Sequence, residues 1–494
     1  MNYFLKNHTY KNAVEEILIT LFPEDRPHQV MTEEEFSLQE DSVLSSLVLS
    51  GGAAHSRAVI FRGGIKAEGR CTRSLAGIPA LKQKSVVTYA VKTAIYRAAC
   101  RLLPEKPAWG AMTGVRPVKA LRELMGTHRS DAAALSAFAK KYDVSPEKSK
   151  LAYEAALAAS KADRVTDPAD FCLYIGIPFC PTRCSYCSFV SNSVEKSGAL
   201  IEPFVEALLR EITYTGELLH SLGRRICAVY FGGGTPTTLS AAQLDRIMTQ
   251  IERSFDLSAL REYTVEAGRP DTITAEKLDT LYAHGVRRLS INPQTMNDDV
   301  LKRIGRSHTA AQVVSAYEMA RSLPFDSINM DLIVGLPGDS LNSFTDTMNQ
   351  VISMHPENIT VHTLAIKRGS RMHEDSAYAF GGKTLGEMIT VAGQKLRAAG
   401  YGPYYLYRQK YMLSSAENTG WAKAGKESLY NIYIMEELRS ILALGAGAAT
   451  KLLEPSSGRI ERIFNPKYPK EYIENIGAIL THKNDLSAFV REGG

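Results

Sequence analysis

The sequence predicts an α/β protein: a partial, open (β/α)6 barrel, preceded by a mixed α/β domain and followed by a C-terminal extension. Three observations carry this reading. Beyond residue 168, apolar runs alternate with amphipathic stretches, and the alternation repeats six times. The runs are apolar almost throughout, as expected of parallel strands covered on both faces. Six units also fall short of the eight that close a barrel.

Residues 1–168 form the first predicted domain, with no clear role. Within it LSSLVLSG (44–51) reads as a strand and VVTYAVKTAIYRAACRLL (86–103) as a helix that carries Cys100 as a small core residue. The Ala-rich residues 131–163 read as two short helices, and the pattern changes after DRVTDPADF. Residues 169–385 form the barrel. Its strands are CLYIGIPF (172–179), RICAVYFGG (225–233), EYTVEAG (262–268), RRLSINPQ (287–294), INMDLIVGL (328–336) and NITVHTLAI (358–366). Helices are expected at 201–222, 241–255 and 275–285, in a stretch ending near 322, and near 341–354. Residues 386–494 are expected to cover the substrate.

Composition narrows the class. With 494 residues, 45% hydrophobic and 22% charged, the chain is globular. Charge interrupts every apolar stretch before about 18 residues, so membrane insertion is not expected. Lys6, Lys11, Glu15 and Glu16 break the N-terminal stretch, so no secretory signal is read there. Seven cysteines are too sparse for a disulfide framework and suit a reducing cytoplasm. A net charge of +5 suits an anionic small molecule and is too weak to argue for nucleic acid.

Three of those cysteines, Cys180, Cys184 and Cys187, crowd into IPFCPTRCSYCSF (177–189). A structural zinc commonly takes two C-x2-C pairs, and the second pair is missing. Cys172 begins its strand, roughly 20 Å of extended chain from Pro178. Cys227 reads as core. A dithiol redox loop would have C-x-x-C spacing alone. A [4Fe–4S] cube takes one cysteine per iron, so three cysteines leave one iron open. That iron is free to chelate the amino and carboxylate groups of S-adenosylmethionine (SAM).

YIGIPFCPTRCSYCSF followed by FGGGTPTTL resembles the coproporphyrinogen-type branch of the radical SAM superfamily, which includes HemN oxidases, HemW heme chaperones and HemZ dehydrogenases. The resemblance spans about residues 171–450 and is nearest to the HemZ type, with which WGAMTGVRPVK (109–119), YYLYRQK and LALGAGAATK also agree. It implies a radical SAM barrel with a [4Fe–4S] cluster on Cys180, Cys184 and Cys187, and one or two SAM per chain. It implies a tetrapyrrole substrate, a reduced flavodoxin or ferredoxin-type electron donor and a cytoplasmic setting. The implied reaction is oxygen-independent decarboxylation of coproporphyrinogen III to protoporphyrinogen IX, with a HemW-type chaperone or another tetrapyrrole enzyme as alternatives. No side-chain acid–base pair is assigned, because hydrogen-atom abstraction needs none.

The resemblance also assigns the SAM contacts. Tyr174 reaches the SAM carboxylate in relatives, against a plain packing role, and Tyr186 flanks the cofactor. Gly233, Gly234 and Thr235 sit where relatives bind SAM; a phosphate loop is disfavoured because no Gly-Lys-Ser/Thr follows. Glu266, Gln294, Arg306 and Asp331, expected at or beyond strand ends, match residues holding the methionine amine, the ribose hydroxyls or a second SAM. Ala365 matches a backbone contact around adenine. GLPGD (335–339) is mainly a turn. LGAGAAT (444–450) has Thr450 at the third glycine position of a dinucleotide motif, so a close turn over the barrel mouth is expected instead. GVRPVK and YGPYYLYRQKY (401–411) offer anion and ring contacts or packing. Two departures are instructive. Phe189 and Gly176 replace the fourth cysteine and the His of HemN oxidases, and Glu417 stands where HemW proteins carry a heme-binding His.

Overall fold

The computed structural model describes residues 1–32, 35–36, 41–114, 116–187, 192–365, 372, 382–408, 416–454 and 457–492. The chain divides into two compact units, Met1–Tyr153 with Arg408–Ala416, and Glu154–Tyr407 with Glu417–Gly494.

The first unit contains β1 (Asn2–Lys6), α1 (Lys11–Leu21), β2 (His28–Val30), β3 (Ser42–Ser50), β4 (Ala53–Arg62), β5 (Ile65–Ser74), α2 (Ala80–Ala99), α3 (Pro117–Met125) and α4 (Asp131–Tyr142). Its sheet runs β2-β1-β3-β4-β5. Alternate residues of β3 and β4, among them Val43, Leu47, Ala58 and Ile60, bury against Ile17 and Leu18 of α1 and Val91, Ala94 and Ile95 of α2. Cys71 is in this core and Cys100 packs at its edge.

Helix α5 (Pro146–Asp163) leads into the second unit. There follow β6 (Phe171–Ile177), β7 (Phe179–Cys180), β8 (Asn192–Ser193), α6 (Val194–Ser197), α7 (Ile201–Ser221), β9 (Ile226–Gly233), α8 (Ala241–Ser254), β10 (Glu262–Glu266), α9 (Ala275–Ala283) and β11 (Arg288–Ser290). Next come α10 (Asp298–Arg303), α11 (Ala310–Arg321), β12 (Ser327–Val334), α12 (Leu341–Ser353) and β13 (Asn358–Thr363). Strands β6, β9, β10, β11, β12 and β13 are neighbours in that order and all parallel, so the six expected strands form one sheet. The helix starts are written in the sequence: Ser240-Ala-Ala-Gln243 and Thr309-Ala-Ala-Gln312 each close a capping box ahead of α8 and α11.

The C-terminal region departs from expectation. After α13 (Gly382–Ala398) come β14 (Gly402–Tyr407), β15 (Asn418–Ala422), α14 (Leu429–Glu436), β16 (Ser440–Gly445), β17 (Ala449–Leu453) and β18 (Ile460–Phe464). These strands extend the sheet to eleven, β14 and β15 beyond β13 and β16 to β18 beyond β6. Residues 386–407 and 417–494 therefore belong to the same compact unit as the six parallel strands. An open parallel sheet exposes two edges, and each is closed by chain returning to it. Strand β16 runs parallel to β6 with all six residues buried. The LGAGAAT turn lies at the C-terminal end of β6: Gly445 has φ +95, and a Cβ there would stand 2.2 Å from the Gly176 carbonyl. The division near 168 also moves, to within α5, because Asp163 and Thr166 are tied to the buried Arg439 of the sheet unit.

Candidate functional site

All six parallel strands end on one side of the sheet, and the cysteine loop starts there. Strand β7 pairs with β8, Phe179 opposite Asn192 and Cys180 opposite Ser193, which ties the base of the loop. The loop is pinned further by Ser185 N donating to the Ile304 carbonyl (3.0 Å), Thr182 Oγ1 to the Gly305 carbonyl (3.2 Å) and Cys187 N to the Cys184 carbonyl (3.2 Å). Tyr186 packs on Val300, Leu301, Ile304, Ile333 and Leu336. Cys184 is buried, while Cys180 and Cys187 are half-buried. Phe189 lies outside the described residues.

The glycine run sits on this loop. Gly234 N donates to the Ile177 carbonyl and Thr235 N to the Phe179 carbonyl, both at 2.7 Å. A Cβ on Gly234 would meet the Phe179 oxygen at 2.4 Å, so only glycine allows the approach. Gly233 has φ +102, and Thr235 Oγ1 lies 3.5 Å from Cys180 Sγ.

Inside the sheet, Tyr174 stands opposite Tyr230 in register, at the middle of β6 rather than toward its end. Their rings stack at 6.3 Å, and Tyr430 of α14 stacks on Tyr230 at 4.4 Å. Tyr230 donates its hydroxyl to Glu266 Oε1 at 2.6 Å. Burial pushes the Glu266 carboxyl up to about 7; the Tyr230 hydrogen bond works against this rise and the Asp331 charge adds to it. Burial also opposes ionisation of Asp331, but His362 and hydrogen bonds from Asn329 and Thr360 hold it below the usual carboxylate range.

Asp331 is not at a strand end: it is the fifth of the eight residues of β12. It is nonetheless level with Gln294, whose N donates to the Asp331 carbonyl at 2.9 Å, because β11 stops at Ser290 while β12 runs on. Gln294 takes φ +68, is 6% exposed, and its side-chain Oε1 is buried with no hydrogen-bond partner among the described residues. A left-handed glutamine costs on the order of 1–3 kcal/mol, and an unpaired buried amide oxygen adds to that. Arg306 lies in the break between α10 and α11. It donates to the carbonyls of Asn292 (2.8 Å) and Gly268 (3.1 Å) and to the Tyr186 hydroxyl (3.2 Å). It thus ties Tyr186 of the loop to the segments after β10 and β11, and its Nε is buried with no hydrogen-bond partner among the described residues. Ala365 lies two residues beyond β13, half-buried.

Sequence reasoning missed Arg269. This residue, 3% exposed, donates to Cys184 Sγ (3.7 Å), Thr182 Oγ1 (3.1 Å) and Ser307 Oγ (2.9 Å) and pairs with Asp271 (3.2 Å). The available signal was its place in EAGRPD, three residues after Glu266. Asn292 was missed too; its Oδ1 accepts from Ser290 Oγ (2.7 Å) and Asp331 N (3.3 Å).

The donor set fits a cluster. Three thiols share one pinned loop beside two guanidiniums, with an unpartnered amide oxygen on the same side of the sheet. Among the described residues no three His, Cys, Asp or Glu side chains converge on a single ion. A four-iron cube does not ask for that, since each thiolate goes to a different iron. Cys172 and Cys227 offer no fourth ligand: their sulfurs meet each other at 3.9 Å, buried near the opposite ends of β6 and β9.

Comparison with known proteins agrees. Residues 174–351 match the model of the radical SAM superfamily. The oxygen-independent coproporphyrinogen-III oxidase-like protein HemZ of Bacillus subtilis is 40% identical over 373 residues, covering 74% of each chain. The heme chaperone HemW of the same organism is 33% identical over 281 residues, 56% of this chain and 69% of its own. The solved structure of Escherichia coli coproporphyrinogen III oxidase HemN, described as a radical SAM enzyme, superposes with a TM-score of 0.51 at 23% identity, covering 65% of this chain and 72% of that one. That likeness establishes the fold.

Proposed function

The chain belongs to the radical SAM superfamily, in the group of the HemZ, HemW and HemN proteins, and on that premise we propose that it oxidatively decarboxylates coproporphyrinogen III to protoporphyrinogen IX. The observation that carries the reading is the gathering of the three-cysteine loop, the Gly233–Thr235 turn, Glu266 and Gln294 at the C-terminal side of one parallel sheet. Cys180, Cys184 and Cys187 hold a [4Fe–4S] cluster. Glu266 offers the SAM ammonium a carboxylate, Gln294 Oε1 accepts from a cofactor donor, and Tyr174 and the Gly233–Thr235 turn line the same space. Arg306 and Tyr186 fix the loop from below. Bound there, the cluster and SAM would supply hydrogen-atom abstraction from the β-carbon of a propionate, whose loss of CO2 to leave a vinyl group would pass one electron to an external one-electron acceptor.

The protein's own work is to orient these groups and keep water out. The stacked rings of Tyr174, Tyr230 and Tyr430 give the interior an apolar wall beside the Glu266 carboxyl. A tetrapyrrole with flat rings and carboxylates suits such a wall. The electron that would reduce the cluster comes from a reduced flavodoxin or ferredoxin-type donor.

A heme chaperone is the competing reading, supported by the likeness to HemW. Glu417 argues against it: it is buried, stands where that type carries a His, and its carbonyl accepts from Thr363 Oγ1 at 2.9 Å. The test is anaerobic incubation of reconstituted protein with coproporphyrinogen III, SAM and reductant. CO2, methionine, 5′-deoxyadenosine and vinyl product are expected together. Stoichiometric heme binding without decarboxylation would select the chaperone.

A further inference from the structure

Arg269 is a cation almost fully removed from water within reach of a sulfur expected to carry negative charge. Its Nη1 lies 3.7 Å from Cys184 Sγ, and Nη2 holds Thr182 Oγ1 and Ser307 Oγ, so one side chain fastens the cysteine loop to the α10–α11 break. Asp271 is its counter-charge, with contacts of 3.2 and 3.3 Å, and Asp271 also accepts from Ser307 Oγ at 3.0 Å. Burial, with the Arg306 and Arg269 guanidiniums adding to it, pushes the His308 imidazole down to about 4. Charge and hydrogen bonds at ligand sulfurs are the levers by which a protein sets the potential of an iron–sulfur cluster. A cation in a poorly solvated place acts strongly because little water screens it.

We propose that Arg269 is a positioning residue that stabilises the reduced state of the cluster on Cys180, Cys184 and Cys187, with Asp271 setting how much of its charge the cluster feels. This rests on the cluster reading above. A purely structural Arg269 would anchor the loop and leave the potential where it was. An electrostatic one makes the two partners act in opposite directions. Removing the cation lowers the midpoint potential, and removing the counter-anion raises it.

The experiment is an equilibrium redox titration, followed by EPR, of the anaerobically reconstituted full chain without SAM, with iron content measured for each sample. The samples are the parent, R269Q, R269K and D271N. R269Q is expected to shift the oxidised-to-reduced ratio at fixed potential at least tenfold toward oxidised, about 59 mV for one electron. D271N is expected to shift it toward reduced, and R269K, which keeps the charge and loses the fork, to fall between parent and R269Q. Should R269Q lose its iron, R269K and D271N still decide the matter. Unchanged potentials at full iron content, or shifts of the same sign in the charge-removing pair, overturn the proposal alone. A parent that takes up no cluster overturns the cluster reading and this proposal with it.

Discussion

Strand β10 carries a glutamate at each end, and the two have opposite fates. Glu262, at the N-terminal end, is 5% exposed and accepts from Thr264 Oγ1 (3.0 Å), Ser428 Oγ (2.9 Å) and Leu429 N (2.6 Å), with Arg288 at 3.6 Å. Glu266, at the C-terminal end, accepts from Tyr230 and is held partly protonated near neutrality. The cysteines divide the same way. Cys172 and Cys227 meet each other in the core at one end, while Cys180, Cys184 and Cys187 share a loop at the other. The same residue types thus pair within the core at the N-terminal ends of the strands and gather around the cysteine loop at the C-terminal ends.

The largest expected contrast is between cysteines. Cys184→Ala should abolish iron uptake on reconstitution, whereas Cys227→Ala should keep full iron and cost about 1 kcal/mol in unfolding. Iron lost from a folded Cys227→Ala chain would erase the distinction between the ends. Next, Glu262→Gln should cost about 3 kcal/mol or more in denaturant unfolding, because it leaves Arg288 without its buried counter-charge, and should leave SAM affinity alone. Glu266→Gln should do the reverse, weakening SAM ten- to hundredfold for the loss of about 1.5–3 kcal/mol, with little loss of stability.

Acidity sharpens the same pair. The folded chain holds the Glu266 proton more tightly than the unfolded chain, whose value is near 4.5, so stability from this group is full below that pH and lost as pH climbs through about 7. SAM binding, which calls for the carboxylate, should tighten with rising pH and level off above about 7. Calorimetry in two buffers of different ionisation enthalpy should show about one proton released per SAM at pH 6 and almost none at pH 8; equal release at both would remove Glu266 from the site. The smallest effect is expected at Gln294. Replacing it by Ala should weaken SAM roughly fivefold, about 1 kcal/mol, yet leave the melting temperature unchanged or higher, since the lost amide oxygen had no partner. A clear drop in melting temperature would mean that Gln294 is structural.

Much of this was legible in the sequence because it is local. Each barrel strand is an apolar run, the capping boxes occupy four residues, and the cysteine loop spans eight. What escaped depends on distant pairings. SILALG at 440–445 reads as one more apolar run, and nothing local says that it joins β6. Asp331 was expected at a strand end although its apolar run continues to 336; the early end of β11, which brings Gln294 level with Asp331, is not visible in β12 itself. Arg269 went unremarked because Cys184, Thr182 and Ser307 come around it only in the fold. Arg306 was singled out for a ligand contact, while its bonds to the Gly268 and Asn292 carbonyls and the Tyr186 hydroxyl follow only from the fold.

The central claim is that the C-terminal side of this sheet holds a four-iron cluster with one iron left for SAM. The most direct test is EPR of the reduced, anaerobically reconstituted parent, titrated with SAM, alongside an iron count. About four irons per chain and a cluster signal that changes saturably with SAM are predicted. A chain that takes up zinc instead of iron, or a cluster signal indifferent to saturating SAM, would contradict it.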